Sequence, residues 1–267
     1  MATILMCRPE HFGIEYEINP WMHVAVAVEH DVALAQWEAL HDVYRRQGLA
    51  VELVPPVAGL PDMVFTANAA VVWRGRAVLS RFHHAERAGE ESHWRRALDS
   101  LGFVIEDVDP ALSFEGAGDA LFLGDHLFLG SGFRTDVAAH AEVARLLDVD
   151  HTSLQLVDPR FYHLDTCFCP LDERTALIAP AAFAPESLEL VRARLPRLIE
   201  VPEQVAAGFV CNAMPLGDRV VSSRAAEALR EPLAAAGFDL VALSMDEFMK
   251  AGGGVRCLSL PLEVGRA

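Results

Sequence analysis

Phe114-Glu115-Gly116-Ala117-Gly118-Asp119-Ala120-Leu121-Phe122-Leu123-Gly124-Asp125-His126-Leu127-Phe128-Leu129 sets a glycine-rich turn with two carboxylates directly before two apolar runs that meet at Gly124-Asp125. The runs read as a β-hairpin, and the turn ahead of them delivers Asp119 to the end of its first strand. The arrangement recurs. Phe65-Thr66-Ala67-Asn68 precedes a hairpin through Trp73-Arg74-Gly75-Arg76, His163-Leu164-Asp165-Thr166 precedes one across Leu171-Asp172-Glu173-Arg174, and Phe209-Val210-Cys211-Asn212 precedes one over Gly217-Asp218-Arg219. Helical spacing of apolar residues covers 30–47, 90–101, 137–147, 185–195 and 225–236. Strand patterns follow at 49–54, 103–108, 153–157, 198–201 and 238–243.

Asp119, Asp165, Asn212 and Cys257 stand 46, 47 and 45 residues apart, an interval that signals a repeat architecture. Each unit is a helix, a strand and a hairpin, with an apolar face that it cannot bury alone. Closing five such units around an axis buries every face and brings one turn per unit to the centre. The expected fold class is therefore α/β, a five-bladed pseudo-symmetric α/β propeller, forming one catalytic domain over 1–267 because no linker-like segment interrupts the chain. An open α/β sheet is the competing reading. No GxGxxG stands between a strand and a helix, so a dinucleotide is not indicated.

The formal charge of −16, from 38 acidic and 22 basic residues, argues against nucleic acid and anionic membranes and suits a small cationic substrate. The N-terminus lacks the basic-then-apolar pattern of a signal peptide and no apolar stretch reaches spanning length, so a cytoplasmic protein is expected. The five cysteines (Cys7, Cys167, Cys169, Cys211, Cys257) are odd in number and lack a CxxC, which disfavours disulfides. Cys167 and Cys169 read as core thiols, and neither a metal nor another cofactor is expected.

The chemistry is carried by the turns. Gly252-Gly253-Gly254 permits positive φ and close approach of other groups, and it presents Cys257 at the start of a short apolar strand. A thiol nucleophile needs a nearby cation to favour the thiolate. His163 is the natural acid and base, with Glu115 to hold its ring. Acyl transfer wants donors for an oxyanion, whereas a guanidinium carbon is a planar cation that carboxylates grip through paired hydrogen bonds. The surplus carboxylates thus favour guanidinium chemistry over a cysteine peptidase, with Asp119 and Asp165 as the clamp. Asp62 joins the list of substrate-side residues. Arg81 and Arg134, each just after a hairpin, are candidates for a substrate carboxylate.

At these residues the chain resembles the guanidino-group-modifying superfamily of the pentein fold. Phe114-Glu115-Gly116-Ala117-Gly118-Asp119 is similar to its FEG-GD motif, His163-Leu164-Asp165-Thr166 to its HLDT motif, and Gly252-Gly253-Gly254-Val255-Arg256-Cys257 to its nucleophile motif. The resemblance spans essentially the whole chain. It implies Cys257 as nucleophile, His163 as acid and base, Glu115 as the histidine's partner, and Asp119 and Asp165 as guanidinium ligands. One departure stands out: deiminases and dimethylarginine hydrolases carry an aspartate where this chain has Asn68. That version, together with Ile18-Asn19-Pro20-Trp21-Met22, is similar to the arginine dihydrolase branch, which takes arginine to ornithine, ammonia and carbon dioxide, and it implies Asn19 and Asn68 as substrate-side residues. Dimethylarginine dimethylaminohydrolase and arginine deiminase are the enzymatic alternatives. A binding-only propeller is the non-enzymatic one, and homo-oligomerisation is compatible with any of them.

Overall fold

The computed structural model describes residues 3–262. They form five mixed sheets of three strands each. In one, Ala70–Trp73 pairs antiparallel with Arg76–Leu79, which pairs parallel with Val104–Glu106 after a crossover through the helix Glu91–Ser100. The next two repeat the plan with Ala120–Leu123, His126–Ser131 and His151–Gln155, then Phe168–Pro170, Thr175–Ile178 and Arg197–Glu200. The fourth uses Met214–Leu216, Arg219–Ser223 and Asp239–Leu243. The remaining sheet is split across the chain. Thr3–Cys7 runs parallel to Ala50–Val54, and its antiparallel inner partner is Leu260–Pro261 from the other end, with Leu5 opposite Leu260. This pairing closes the ring, so the first and last sequence units are one blade.

Short hairpins demand special backbone at their tips: Arg74 (φ 45°) and Gly75 (φ 81°) are both left-handed, as a two-residue turn matching strand twist requires. The helices His30–Arg46, Val137–Leu147 and Pro185–Arg194 lie close to their sequence expectations. The last differs. Instead of one helix over 225–236, a 3-10 segment Arg224–Leu229 leads into a short α-helix Arg230–Ala235. Pro232 lies in the first turn of that α-helix, where its missing N–H costs nothing, whereas it would break the interior of a longer one.

No blade buries its own face. Val71 and Val78 of one sheet pack with Phe114, Leu127, Leu129 and Val143 of the next. A larger cluster joins Leu121 and Phe128 to Phe168, Leu177, Val220 and Leu233 across three blades. The five inner strands meet at the axis around a cavity of about 120 Å³ lined by Val71, Ala120, Leu121, Phe168, Pro215 and Leu260 among others.

Candidate active site

A short turn precedes each inner strand, and each turn carries one marker residue. Asn68 lies on the 3-10 turn Thr66–Ala69, Asp119 ends Gly116–Asp119, and Asp165 lies on Leu164–Thr166. Asn212 and Cys257 lie on irregular turns, Cys257 three residues before its strand rather than at its start. The glycines act by close approach as well as by φ. Gly252 has φ +82°, a Cβ at Gly253 would stand 2.2 Å from the Phe65 ring, and one at Gly254 would stand 2.9 Å from Asn212 Oδ1.

Cys257 is buried (2% exposed). Asn212 Nδ2 donates to its sulfur at 3.0 Å, while Asn212 Oδ1 accepts from the backbone N–H groups of Arg256 (2.9 Å) and Cys257 (3.2 Å). Asp165 Oδ2 lies 3.5 Å from the sulfur. Burial, and next the negative charge of Asp165, push the Cys257 thiol well above its ordinary range. Asp165 itself is raised to about 7, chiefly by burial, against the lowering effect of Arg256. At rest the pair is a neutral thiol beside a carboxyl group that readily holds a proton. A positive charge between them reverses that preference.

His163 Nε2 donates to Glu115 Oε2 at 2.8 Å, both side chains being buried. Burial pushes Glu115 up, but Arg134 and then the His163 hydrogen bond more than offset it, so Glu115 is held well below the usual carboxylate range. Because an ionised carboxylate only accepts, Nε2 carries the ring proton. His163 Nδ1 then has no hydrogen-bond partner among the described residues and is left for proton transfer. A Cβ on Gly118 would fall 2.4 Å from Asn68 Nδ2 and 3.1 Å from His163 Nδ1, which explains the glycine: these two side chains converge on its α-carbon. Arg134 donates to Glu115 (3.1 Å) and to the Ile18 carbonyl (2.8 Å), and it stacks over Tyr162.

Beside the sulfur is a small pocket of about 10 Å³, lined by Asn19, Asp62, Asn68, Arg87, Arg134 and Cys257 among others. Ile18 and Met22 line it as well. Three buried polar atoms around this centre lack partners: Asp62 Oδ1, Asn68 Nδ2 and Asp165 Oδ1. Asp62 is raised to about 6, burial outweighing the nearby Arg87, and its other oxygen accepts from Tyr16 at 2.9 Å. Such unpaired buried groups are costly and mark where a ligand completes the hydrogen bonding.

The structure brings together Cys257, His163, Glu115, Asp165, Asn68, Asp62, Asn19 and Arg134, and corrects two expectations. Asp119 is no substrate clamp: Oδ1 accepts from the Leu164 N–H (2.9 Å) and Oδ2 from Thr135 (2.7 Å). One residue before its strand, it ties the His163 turn to its own blade. Arg81 lies away from the pocket. Its backbone bridges Phe114, and it lines an outer groove with Arg95 and Asp107. Asn19 lines the pocket, but its amide is engaged, accepting from Trp21 N–H (2.9 Å) and donating to the Ala251 carbonyl (3.1 Å). Sequence reasoning missed Arg87, Glu90 and Tyr162, and it used Asn212 only as a repeat marker. Arg87 and Glu90 stand three residues apart, a spacing that does not by itself distinguish a buried pair from a solvated one; the repeat phase was the available signal for Asn212.

The family model "N,N dimethylarginine dimethylhydrolase, eukaryotic" matches residues 8–264. The bifunctional arginine dihydrolase/ornithine cyclodeaminase ArgZ of Synechocystis sp. is 43% identical over 96% of this chain, which spans only 37% of that relative's length. The N(G),N(G)-dimethylarginine dimethylaminohydrolase of Mycobacterium tuberculosis is also 43% identical, over 96% of this chain and 84% of its own. A crystal structure of an asparagine-to-serine variant of the ArgZ N-terminal domain, covalently bound to a reaction intermediate, superimposes with a TM-score of 0.95 at 40% identity and covers 100% of both chains. The five-sheet architecture is thus the pentein fold, and the chain belongs to the dimethylarginine dimethylaminohydrolase family.

Proposed function

We propose that this chain is an arginine dihydrolase, cleaving two C–N bonds of free arginine through a covalent Cys257 adduct. The observation that carries this reading is Asn68, a neutral amide whose unpaired buried Nδ2 borders the pocket. Its similarity to the Synechocystis dihydrolase supports the same reading.

The guanidinium supplies the missing cation. Asp165 Oδ1 accepts its N–H groups, Asp62 Oδ1 takes the α-ammonium, and Arg134 takes the α-carboxylate in exchange for the Ile18 carbonyl. Admission requires the pocket to widen, with the lining segment around Ile18, Asn19 and Met22 moving outward, since about 10 Å³ is room for about one water at most. With the cation in place the Cys257 proton is lost and sulfur attacks the guanidinium carbon. His163 returns that proton to one nitrogen, which leaves as ammonia, and the carbon stays bound to sulfur as a thiouronium.

Water, deprotonated by His163, then adds to this carbon, which now bears oxygen, an amino group, the ornithine nitrogen and sulfur. If sulfur departs, the product is citrulline. If the amino group takes the proton and leaves as a second ammonia, a thiocarbamate remains on Cys257. A further water cleaves it to ornithine, carbon dioxide and free thiol. A carboxylate at position 68 would grip the amino group and favour the first outcome. An amide N–H instead binds the oxygen and leaves the amino group free.

Product analysis with arginine tests the reading. Ornithine with two ammonia per arginine supports it, and accumulating citrulline rejects it in favour of a deiminase. The family model and the Mycobacterium tuberculosis relative favour a second reading, dimethylarginine hydrolysis, which dimethylamine release from dimethylarginine would establish.

A further inference from the structure

We propose that Glu90 is a positioning residue for the second C–N cleavage: through Arg87 it fixes the Asn68 amide with its N–H₂ group, not its oxygen, toward the reacting carbon. This rests on the dihydrolase reading above. Glu90 is fully buried, between the helical turn Ala85–Ala88 and the helix Glu91–Ser100. It grips Arg87 at two points, Oε1 from Nε at 2.7 Å and Oε2 from Nη2 at 2.9 Å, and Trp94 Nε1 donates to the same Oε2 at 3.1 Å. Arg87 is further held by the Asp62 carbonyl at 3.2 Å and by the Phe82 ring 4.4 Å from its central carbon. Its remaining terminal nitrogen, Nη1, donates to Asn68 Oδ1 at 2.8 Å.

A guanidinium has five donors and no acceptor. Whatever faces Nη1 must therefore be the oxygen of Asn68, and the amide has no freedom to flip while Arg87 stays in place. The consequence is visible on the other side of the amide, where Nδ2 is buried, unpartnered and at the meeting point with His163. The amide is chemically ambivalent, and Glu90 removes the ambivalence. Without the carboxylate, Arg87 loses its two-point hold and is free to turn toward the pocket. Asn68 can then present its oxygen and act as the acceptor that favours citrulline.

The test is single-turnover product partition by the full chain with arginine, comparing wild type with Glu90→Gln. The ornithine-to-citrulline ratio should fall about tenfold, the scale of one hydrogen bond that changes sign, while the first ammonia is still released. The double variant Glu90→Gln/Asn68→Asp should give the same ratio as Asn68→Asp alone, since both act through one amide. Where Glu90→Gln does not fold, Arg87→Lys reads the same ratio with Glu90 still paired. An unchanged ratio in a folded variant, including one in which all steps slow together, overturns the proposal and leaves the dihydrolase reading standing. Wild type that yields only citrulline removes the dihydrolase reading instead.

Discussion

The two ends of the propeller axis are built from the same repeat yet obey opposite rules. At one end the inner strands present Val71, Ala120, Leu121, Phe168 and Leu260 to an apolar cavity. At the other, one to three residues earlier in each unit, the turns present Asn68, Asp119, Asp165, Asn212 and Cys257, all buried, with Asn68 and Asp165 each short of a hydrogen-bond partner. The strand end lowers free energy by removing apolar surface from water. The turn end raises it by desolvating carboxylates and leaving Asp62 Oδ1, Asn68 Nδ2 and Asp165 Oδ1 unpaired. A repeat lets the fold concentrate its stability in one layer and its reactivity in the next, and the contrast is open to experiment.

The largest effect belongs to the sulfur. Cys257→Ala removes the atom on which the adduct forms, so turnover should drop about 10³-fold or more, while arginine binding, followed by calorimetry, and the melting temperature persist. Activity at wild-type level would end the covalent mechanism. Next is Glu115→Gln, which keeps the shape but leaves Arg134 and the His163 ring without their buried anion. Turnover should fall about 10²-fold and stability by about 3 kcal/mol, read by steady-state kinetics and urea unfolding. A loss confined to stability would mean that Glu115 holds Arg134 and nothing more.

How much of this was legible beforehand follows from the physics of each feature. The blade period was readable because hairpin tips and helix stops are local events encoded by Gly75, Gly102 and Gly217. The nucleophile turn was readable because three glycines in a row have few uses. The roles of Arg81 and Asp119 were misread because sequence position says where the backbone is but not which way a side chain turns. The fold turns both Asp119 oxygens toward Thr135 and the Leu164 N–H. Arg87 and Glu90 escaped notice because a charged pair at i, i+3 has the same pattern whether solvated or buried. Their burial is created by Phe82, Trp94 and the Asp62 turn, none of which is adjacent to them in sequence.

The cost of the turn end should appear as a pH dependence of stability. Asp62 and Asp119 are raised to about 6 and Asp165 to about 7, in each case chiefly by burial. Each binds its proton more tightly folded than unfolded, so its contribution to stability is full below the unfolded value of roughly 3.9 and is lost as pH rises through 6 to 7. Glu115, held low, contributes in the opposite sense and loses its contribution only on strong acidification. Over pH 5 to 8 the unliganded protein should therefore lose melting temperature as pH rises. Asp165→Asn should flatten that slope and stabilise the protein at pH 8 by about 2–4 kcal/mol, at the expense of turnover. A slope unaltered by this substitution would mean that the active-site turn is not where stability is sacrificed.

The smallest effect should come from the apolar end. Cys169, 4% exposed, lines the axial cavity, and its thiol reaches the Ala213 carbonyl at 3.3 Å and the Pro170 carbonyl at 3.7 Å. Burial raises that thiol to about 12, so it is a neutral packing group with a weak donor. Cys169→Ala enlarges a cavity that already exists, and adjacent space lets neighbours relax, so the cost should stay near 1 kcal/mol with turnover unaltered. Its strand, Phe168–Pro170, continues from the turn carrying Asp165, which makes this the sensitive place to look for coupling between the two layers. A tenfold loss of turnover without loss of stability would show that the inner strands tune the site as well as support it, and the division of labour along the axis would no longer hold.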